Sequence, residues 1–334
     1  AKHTQGLEQA LASSASEASI VSVSERTGIS VEKLALFFEK FAQTEKVMSL
    51  FSMGVNQSSQ GVNKANSIIN CHLLTGKIGK LGAAPFSMTG QPNAMGGREV
   101  GGLANMLAAH LDIDNPQHQQ LVQNFWKSPV IAKSAGLKAV DLFEAVESGK
   151  IKALWIMATN PVVSLPNADQ VKRALENCEF VVVSDICLDT DTTQYADVLL
   201  PALGWGEKDG TVTNSERRIS RQRAFLDSPE QAQADWWSVS QVAKKLGFQG
   251  FDFESSHDIF KEHAQLSAYQ NAEIALRSST ETFRYFNLAG LTNLSFDDYQ
   301  ELEPTQWPVL VPLKNGQTTP NTFAQLFKDG QFSH

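Results

Sequence analysis

Apolar positions along the first 45 residues recur at helical spacing. Leu34, Phe37, Phe38 and Phe41 fall on one face of a segment that Ser30 can cap, so this region reads as helices packed into a core by that face. The pattern then changes. KVMSLFS (46–52) reads as a buried strand and MGVNQSSQG as a polar turn. From about Val62 to Leu74, Ala65, Ile68, Ile69 and Leu73 return at helical spacing, with Gly76 as the stop. The same order of strand, polar loop and helix recurs downstream. IKALWIMAT (151–159) reads as a strand broken by Asn160-Pro161. Residues 167–177 form a helix that turns Val171, Ala174 and Leu175 inward, and FVVVS (180–184) is the next strand. Strand, helix and strand over so short a span make a βαβ unit, whose strands run parallel and end on one edge, where open α/β sheets bind ligands.

Beyond this unit, Asp197 to Leu200 reads as a short strand closed by Pro201, GWGEKDGTVTNSERR (204–218) as a Gly-rich loop, and 236–246 as a helix. From about 248 Phe and Pro are scattered among polar residues. This stretch is expected to be irregular, and PVLVPLKNGQTTPNTFAQLFKDGQFSH (308–334) to be a linker. The predicted fold class is α/β with parallel-sheet, Rossmann-like lobes. The expected boundaries are 1–95 for part of one lobe, 96–247 for a dinucleotide-binding-like lobe, and 248–334 for the irregular region. No internal repeat or low-complexity tract interrupts the chain.

Composition narrows the functions. With 42% hydrophobic and 19% charged residues, the 334-residue chain can bury a large core. A net charge of −8 lacks the basic footprint of nucleic-acid binding, and no Lys/Arg run suggests an anionic membrane partner. No apolar run approaches a membrane span of roughly 20 residues. Cys71, Cys178 and Cys187 form no CxxC pair and read as buried free thiols of a reducing compartment; no metal ligand set is legible among them or the histidines. Neither GxGxxG nor GxxxxGK[ST] occurs, because GKIGKLG carries its glycines three apart.

The densest chemistry lies in TGQPNAMGGREVGG (89–102). Its five glycines let backbone approach a ligand, Gln91 and Asn93 offer donors and acceptors, and Arg98 supplies a permanent cation that can hold an oxyanion. At the strand ends, Asp185 stands where an acidic residue accepts from ribose in dinucleotide folds, and equally where it would cap a short helix that follows. Ser184 and Asn160 either bond phosphate or ribose oxygens or simply form turns.

This stretch resembles the corresponding loop of the prokaryotic molybdopterin-dependent nitrate reductases, most closely the assimilatory kind. So do FSMGVNQSSQGVNKANSIINCHLLTGKIGKLG (51–82), WIMATNPVVSLPN (155–167), VVVSDICLDTDTTQYADVLLPALGWGEKDGTVTNSERR (181–218) and QADWWSVSQVAKKLG (233–247). The resemblance implies lobes of the molybdopterin oxidoreductase type shared by formate dehydrogenase and DMSO reductase, and a molybdenum bis(molybdopterin guanine dinucleotide) cofactor. The cofactor-binding positions it implies are Met53, Gln57, Gln91, Asn160, Ser184, Asp185, Lys208 and Asp235. Physics alone would bury Met53 in the core and pair Lys208 with Glu207 or Asp209 beside it. Glu216 and Arg217 either contribute or form a structural salt bridge. Arg98 is tied to substrate near molybdenum, or else anchors cofactor phosphate or pairs with Glu99.

Family members also carry an N-terminal cysteine-rich iron–sulfur domain and a C-terminal domain that covers the cofactor. Neither is recognisable here. The chain therefore reads as a central portion expected to be inactive alone, working within a cytoplasmic enzyme that takes electrons from a donor protein or reductase subunit to reduce nitrate. A formate dehydrogenase-like member and a non-catalytic scaffold of a respiratory complex are the alternatives.

Overall fold

A computed structural model describes residues 6–15, 19–229, 231–271 and 284–311. The chain divides into two compact units between Pro92 and Asn93. The stretch around Arg98 thus opens the second unit.

The first unit begins with α1 (Leu7–Ala15), α2 (Ile20–Thr27) and α3 (Val31–Gln43). Ser30 caps α3 as its hydroxyl accepts from Lys33 N at 3.4 Å. The apolar face of α3 is only partly core. Leu34 is buried, but Phe37 and Phe38 are 59% and 48% exposed. With Phe41, Ser49, Ser67, Ile68 and Cys71 they line a cavity of about 250 Å³. Periodicity located the helix but could not show how much of its stripe is covered.

Strand β1 (Met48–Phe51), the single turn α4 (Met53–Asn56), α5 (Gly61–Leu74) and β2 (Ala84–Ser87) follow, with β2 parallel to β1. Glycine is required at the start of α5, because a Cβ on Gly61 would stand 2.3 Å from Asn56 O. β1 alternates between exposed and half-buried positions and is not the fully buried strand expected. Ala65, Ile68, Ile69 and Leu73 are half-buried, and the fully buried side chain of α5 is His72, whose Nε2 lies 2.8 Å from Ser49 Oγ.

The second unit contains α6 (Ala94–Glu99), the short antiparallel pair β3 (Met106–Leu107) and β4 (Leu111–Asp112), α7 (Pro116–Trp126), α8 (Ala139–Glu147) and β5 (Ala153–Met157). Next come α9 (Pro161–Ser164), α10 (Ala168–Asn177), β6 (Phe180–Asp185) and β7 (Val198–Pro201). β5, β6 and β7 lie in that order in one parallel sheet; the hydrophobic pattern predicts the parallel β5–β6 pair and the existence of β7 but not its place. Val171, Ala174 and Leu175 of α10 pack with Phe143 and Val146 of α8 against Ile156, Val181 and Val183 of the sheet. Each buried large aliphatic side chain of this kind contributes about 1.5 to 3 kcal/mol, so the crossover is held by its apolar face.

The remaining elements are β8 (Gly210–Thr213), β9 (Arg218–Gln222), α11 (Asp235–Lys245), α12 (Ser256–Ala268), α13 (Phe296–Gln300) and β10 (Thr305–Gln306). β8, β9 and β10 form an antiparallel sheet in the order β10-β9-β8. Two expectations are corrected here. The Gly-rich loop 204–218 contains β8 and the turn into β9, because glycine and charged residues hid the alternation. Residues beyond 248 are not merely irregular: α12 is a 13-residue helix, and Phe286, Leu288, Leu291, Tyr299, Leu302, Trp307 and Val309 are buried in a second core with Ile219 and Phe260. The spans expected at 96–247 and 248–334 therefore contribute to one unit. Of the proposed linker 308–334, residues 312–334 lie outside the described residues.

Candidate functional site

The site is built on the carboxyl edge of the β5-β6-β7 sheet. Met157 at the end of β5 pairs with Ser184, and Asp185 at the end of β6 pairs with Pro201, so three strand ends lie side by side. Ala158, just past β5, has a φ of 54°, the left-handed region that costs a residue with a Cβ about 1 kcal/mol. Strain of this kind concentrates where geometry serves a site.

Asn160, at the start of α9, joins two loops of this edge. Its Oδ1 accepts from Thr192 Oγ1 at 2.6 Å, and its Nδ2 donates to Asp191 Oδ2 at 3.5 Å. Asp185 accepts from Cys187 N at 3.0 Å through Oδ1, closing a local turn; the short helix it would cap does not follow directly, since residues 186–190 are bends and coil. Ser184 departs from expectation. It is 2% exposed although alternation places it on the face opposite Val181 and Val183; the Trp155 side chain covers it there, and its hydroxyl accepts from Trp155 Nε1 at 2.9 Å. Of the two neighbours, Asp185 is the one at the open edge.

The edge continues through residues distant in sequence. Ala202 N donates to Asp185 O at 3.0 Å, and Gln233 is bridged to Ala202 through Leu203 N to Gln233 O at 3.2 Å and Gln233 N to Pro201 O at 3.0 Å. This seam carries Asp235, the first residue of α11, to the rim. Lys208 Nζ meets Asp235 Oδ2 at 2.9 Å. The local pairing that charge spacing suggested for Lys208 does not form. Glu207 Oε2 accepts from Gly204 N at 2.6 Å, and Asp209 is taken by Arg221 Nη2 at 2.7 Å. The other oxygen of Asp235, Oδ1, is buried and has no hydrogen-bond partner in the structure. An acceptor in that condition costs about 1 to 3 kcal/mol until a donor meets it.

Met53, Gln57 and Gln91 lie in the first unit. Met53 is 38% exposed at the carboxyl end of β1, so the core position that hydrophobicity alone would give it is not the one it takes. Gln57 closes α4 by donating its N–H to Met53 O at 2.8 Å, and its side chain is exposed, as is that of Gln91. Asn56 Nδ2 donates to Ser87 Oγ at 2.9 Å and ties this loop to the end of β2.

Arg98 is exposed near the end of α6. That helix is fastened to the far end of β8, where Asn93 Oδ1 accepts from Thr213 N at 2.9 Å. β8 runs about 10 Å from this point back to Gly210, and Lys208 lies two residues before that end of the strand. The suggested Arg98–Glu99 pair is replaced by another arrangement. Glu99 is 2% exposed; its Oε1 accepts from Trp307 Nε1 at 2.7 Å and its Oε2 from Thr213 Oγ1 at 2.9 Å. Glu216 pairs with Arg218 at 2.7 Å, while the Arg217 guanidinium lies 5.1 Å from the Trp307 ring centre. Sequence reasoning missed Glu99, His110 and His263, since residues 11 and 164 positions away from Glu99 share no local pattern with it.

Among the described residues, no group of three or more His, Cys, Asp or Glu is arranged to hold a metal ion. Burial holds both His72 and His110 below the ordinary imidazole value of 6.5; for His110 the charge of Glu99 opposes this, while Arg98 and His263 add to it. The unfolded chain therefore takes up protons first on acidification. The stability these two imidazoles contribute is complete above about pH 6.5 and is lost as pH falls through their folded values. Thermal unfolding followed by circular dichroism should show a lower Tm at pH 5.5 than at pH 7.5, a difference reduced in a His72→Gln, His110→Gln chain. An unchanged pH slope in that variant would contradict the assignment.

Comparison with known proteins decides the class. The model of the molybdopterin oxidoreductase family matches residues 21–245. The chain belongs to the molybdopterin oxidoreductases. It is 49% identical over 324 residues to a nitrate reductase of Shewanella frigidimarina, covering 97% of this chain and 34% of that protein. It is 49% identical over 288 residues to a nitrate reductase of Klebsiella oxytoca, covering 86% of this chain and 32% of that one. The chain thus spans about a third of the length of these curated relatives. Among solved structures, acetylene hydratase from Pelobacter acetylenicus superposes with a TM-score of 0.59 at 14% identity, over 89% of this chain and 40% of that one, a likeness of fold.

The molybdenum–pterin cofactor of this oxidoreductase family suits the residues present. The unmet Asp235 Oδ1 asks for an N–H donor of the sort on a pterin edge, and Lys208 beside it offers positive charge.

Proposed function

We propose that the chain is the central, cofactor-binding portion of a nitrate reductase that converts nitrate to nitrite. The observation that carries the binding half is the Lys208–Asp235 pair on the parallel-sheet edge, with a buried carboxylate oxygen left open. Identity near one half to two relatives named nitrate reductase supports the choice of substrate.

On this reading the cofactor is a bis(molybdopterin guanine dinucleotide), and when bound its molybdenum supplies oxygen-atom transfer. Asp185 accepts from a guanine or ribose edge, and Asp235 and Lys208 hold the pterin or its phosphate; Met53, Gln57 and Gln91 are taken as cofactor-contact positions on the resemblance alone. Asn160 acts through the loop it fastens. Arg98 draws the nitrate anion and offsets charge on the oxygen that leaves. Nitrate takes up two electrons and two protons to give nitrite and water. The electrons come from an iron–sulfur cluster held by residues outside this chain and from a donor protein. We place the enzyme in the cytoplasm on its likeness to assimilatory enzymes; the cysteines are free, although Cys71 and Cys187 are exposed and not buried as expected.

The test uses a holoenzyme that carries this chain, assayed with reduced methyl viologen. Nitrite should accumulate in step with nitrate consumed, and formate should not be oxidised. Formate oxidation without nitrate reduction would overturn the substrate assignment.

A further inference from the structure

Next to Arg98 the fold buries the carboxylate of Glu99, and two half-buried imidazoles that the proposed reaction has not used stand near it. Glu99 lies between Trp307 Nε1 and Thr213 Oγ1, and His263 Nε2 of α12 stands 3.9 Å from Glu99 Oε2. His110 reaches the same place from another direction. Its ring centre is 5.2 Å from Phe286 and 5.7 Å from Trp307, and its Nε2 is buried without a partner. The His263 ring also lies 5.2 Å from Phe286, so one phenyl ring contacts both imidazoles.

The backbone shows that this placement is built. Ala109 and His110 both take left-handed φ values, 58° and 56°, rare for residues with a Cβ. Ala109 N donates to Glu99 O at 2.7 Å, so Glu99 holds the strained turn with its carbonyl while its carboxylate faces the rings. Gly101 is the residue that permits the approach: a Cβ there would stand 2.6 Å from Ala108 N.

We propose that Glu99, by anchoring the end of α6 to Thr213 and Trp307, is the positioning residue for Arg98, and that with His263 it forms a charge-balancing set in which a proton on His110 sets how strongly Arg98 draws an anion. The groups facing His110 are Glu99 and Arg98 from α6 and His263 from α12, with Phe286 and Trp307 as its uncharged neighbours. His263 faces Glu99 and has Glu262 beside it, whose carboxyl accepts from Trp126 Nε1 at 2.9 Å; Arg217 lies over Trp307. With Glu99 charged and His110 neutral, the set carries one negative charge that offsets the positive field of Arg98. A proton added to His110 leaves the set more positive, and anion attraction rises.

The proposal rests on the nitrate reading for its kinetic consequence, but its core can be read without activity. In this chain labelled with ¹³C-histidine, Glu99→Gln removes the charge that favours protonated His110, so the His110 resonance, identified by its loss in His110→Gln, should titrate at lower pH than in the unaltered chain. An unmoved titration overturns the set, whatever the substrate. In the holoenzyme, KM for nitrate should fall from pH 8 to pH 5.5. Glu99→Gln should lower KM at pH 8 by about threefold and flatten the slope, as expected for losing one screened negative charge near the anion. Glu99→Asp, which keeps the charge, should restore the slope. A Glu99→Gln profile parallel to the parent, with only kcat or Tm reduced, would reduce Glu99 to a structural role and overturn the proposal. If the parent holoenzyme makes no nitrite, the nitrate reading fails, while the titration experiment still decides the buried set.

Discussion

Replacing Arg98 by Met in a holoenzyme that carries this chain is expected to lower kcat/KM for nitrate by about 100-fold to 1000-fold, with molybdenum content unchanged. The size follows from losing one preorganised donor to a developing negative charge, worth about 2.7 to 4 kcal/mol of barrier. The bulk charge of −8 disfavours an anion, so attraction must come from a local cation. Arg98 can supply it because the adjacent carboxylate, Glu99, is turned inward to Trp307 and Thr213 and does not neutralise the guanidinium by direct pairing. Arg98→Lys separates charge from geometry. A lysine keeps the cation but loses the planar fork that matches two oxygens of a trigonal anion, so recovery should be partial. Initial rates over a range of nitrate, with metal analysis of each preparation, decide the matter. If Arg98→Met loses molybdenum in proportion to activity, Arg98 anchors the cofactor and is not a substrate residue.

How much of this was legible depended on whether the signal was local. The βαβ unit could be read because Val171, Ala174 and Leu175 repeat at helical spacing and the strands beside them are short apolar runs, and all three are buried in the structure. Asp185 could be placed at a strand end by counting along FVVVS. The same count set Ser184 beside it as a ligand contact, yet the Trp155 side chain on the neighbouring strand covers Ser184 and takes its hydroxyl, which counting along one strand cannot show. Residues 286–309 gave no periodic pattern, because a buried segment with little regular structure packs through single side chains such as Phe286 and Trp307. Glu99 was read as a partner for its neighbour because charge spacing reports only adjacency. Its real partners, Thr213 and Trp307, lie 114 and 208 positions away.

That limitation applies equally to Lys208 and Asp235, 27 positions apart, where the second large effect is expected. Asp235→Ala should reduce molybdenum retained per polypeptide in the purified holoenzyme by roughly 10-fold or more. A hydrogen bond to a charged acceptor contributes about 1.5 to 3 kcal/mol, which corresponds to about 10-fold to 100-fold in the hold on a ligand. Stability should change little, because Lys208 is about a third exposed and can return to solvent, and an ion pair this accessible contributes about 1 kcal/mol at most. Lys208→Ala tests the opposite face of the pair. It leaves the Asp235 carboxylate with one oxygen already buried and unmet and the other deprived of its cation, so this variant should lower Tm more than Asp235→Ala does. Metal analysis and thermal unfolding of both variants therefore give two orderings, with Asp235→Ala worse for cofactor and Lys208→Ala worse for the fold. A pair that served only as surface electrostatics would move neither quantity, and full molybdenum occupancy in Asp235→Ala would remove the sheet edge from the cofactor site.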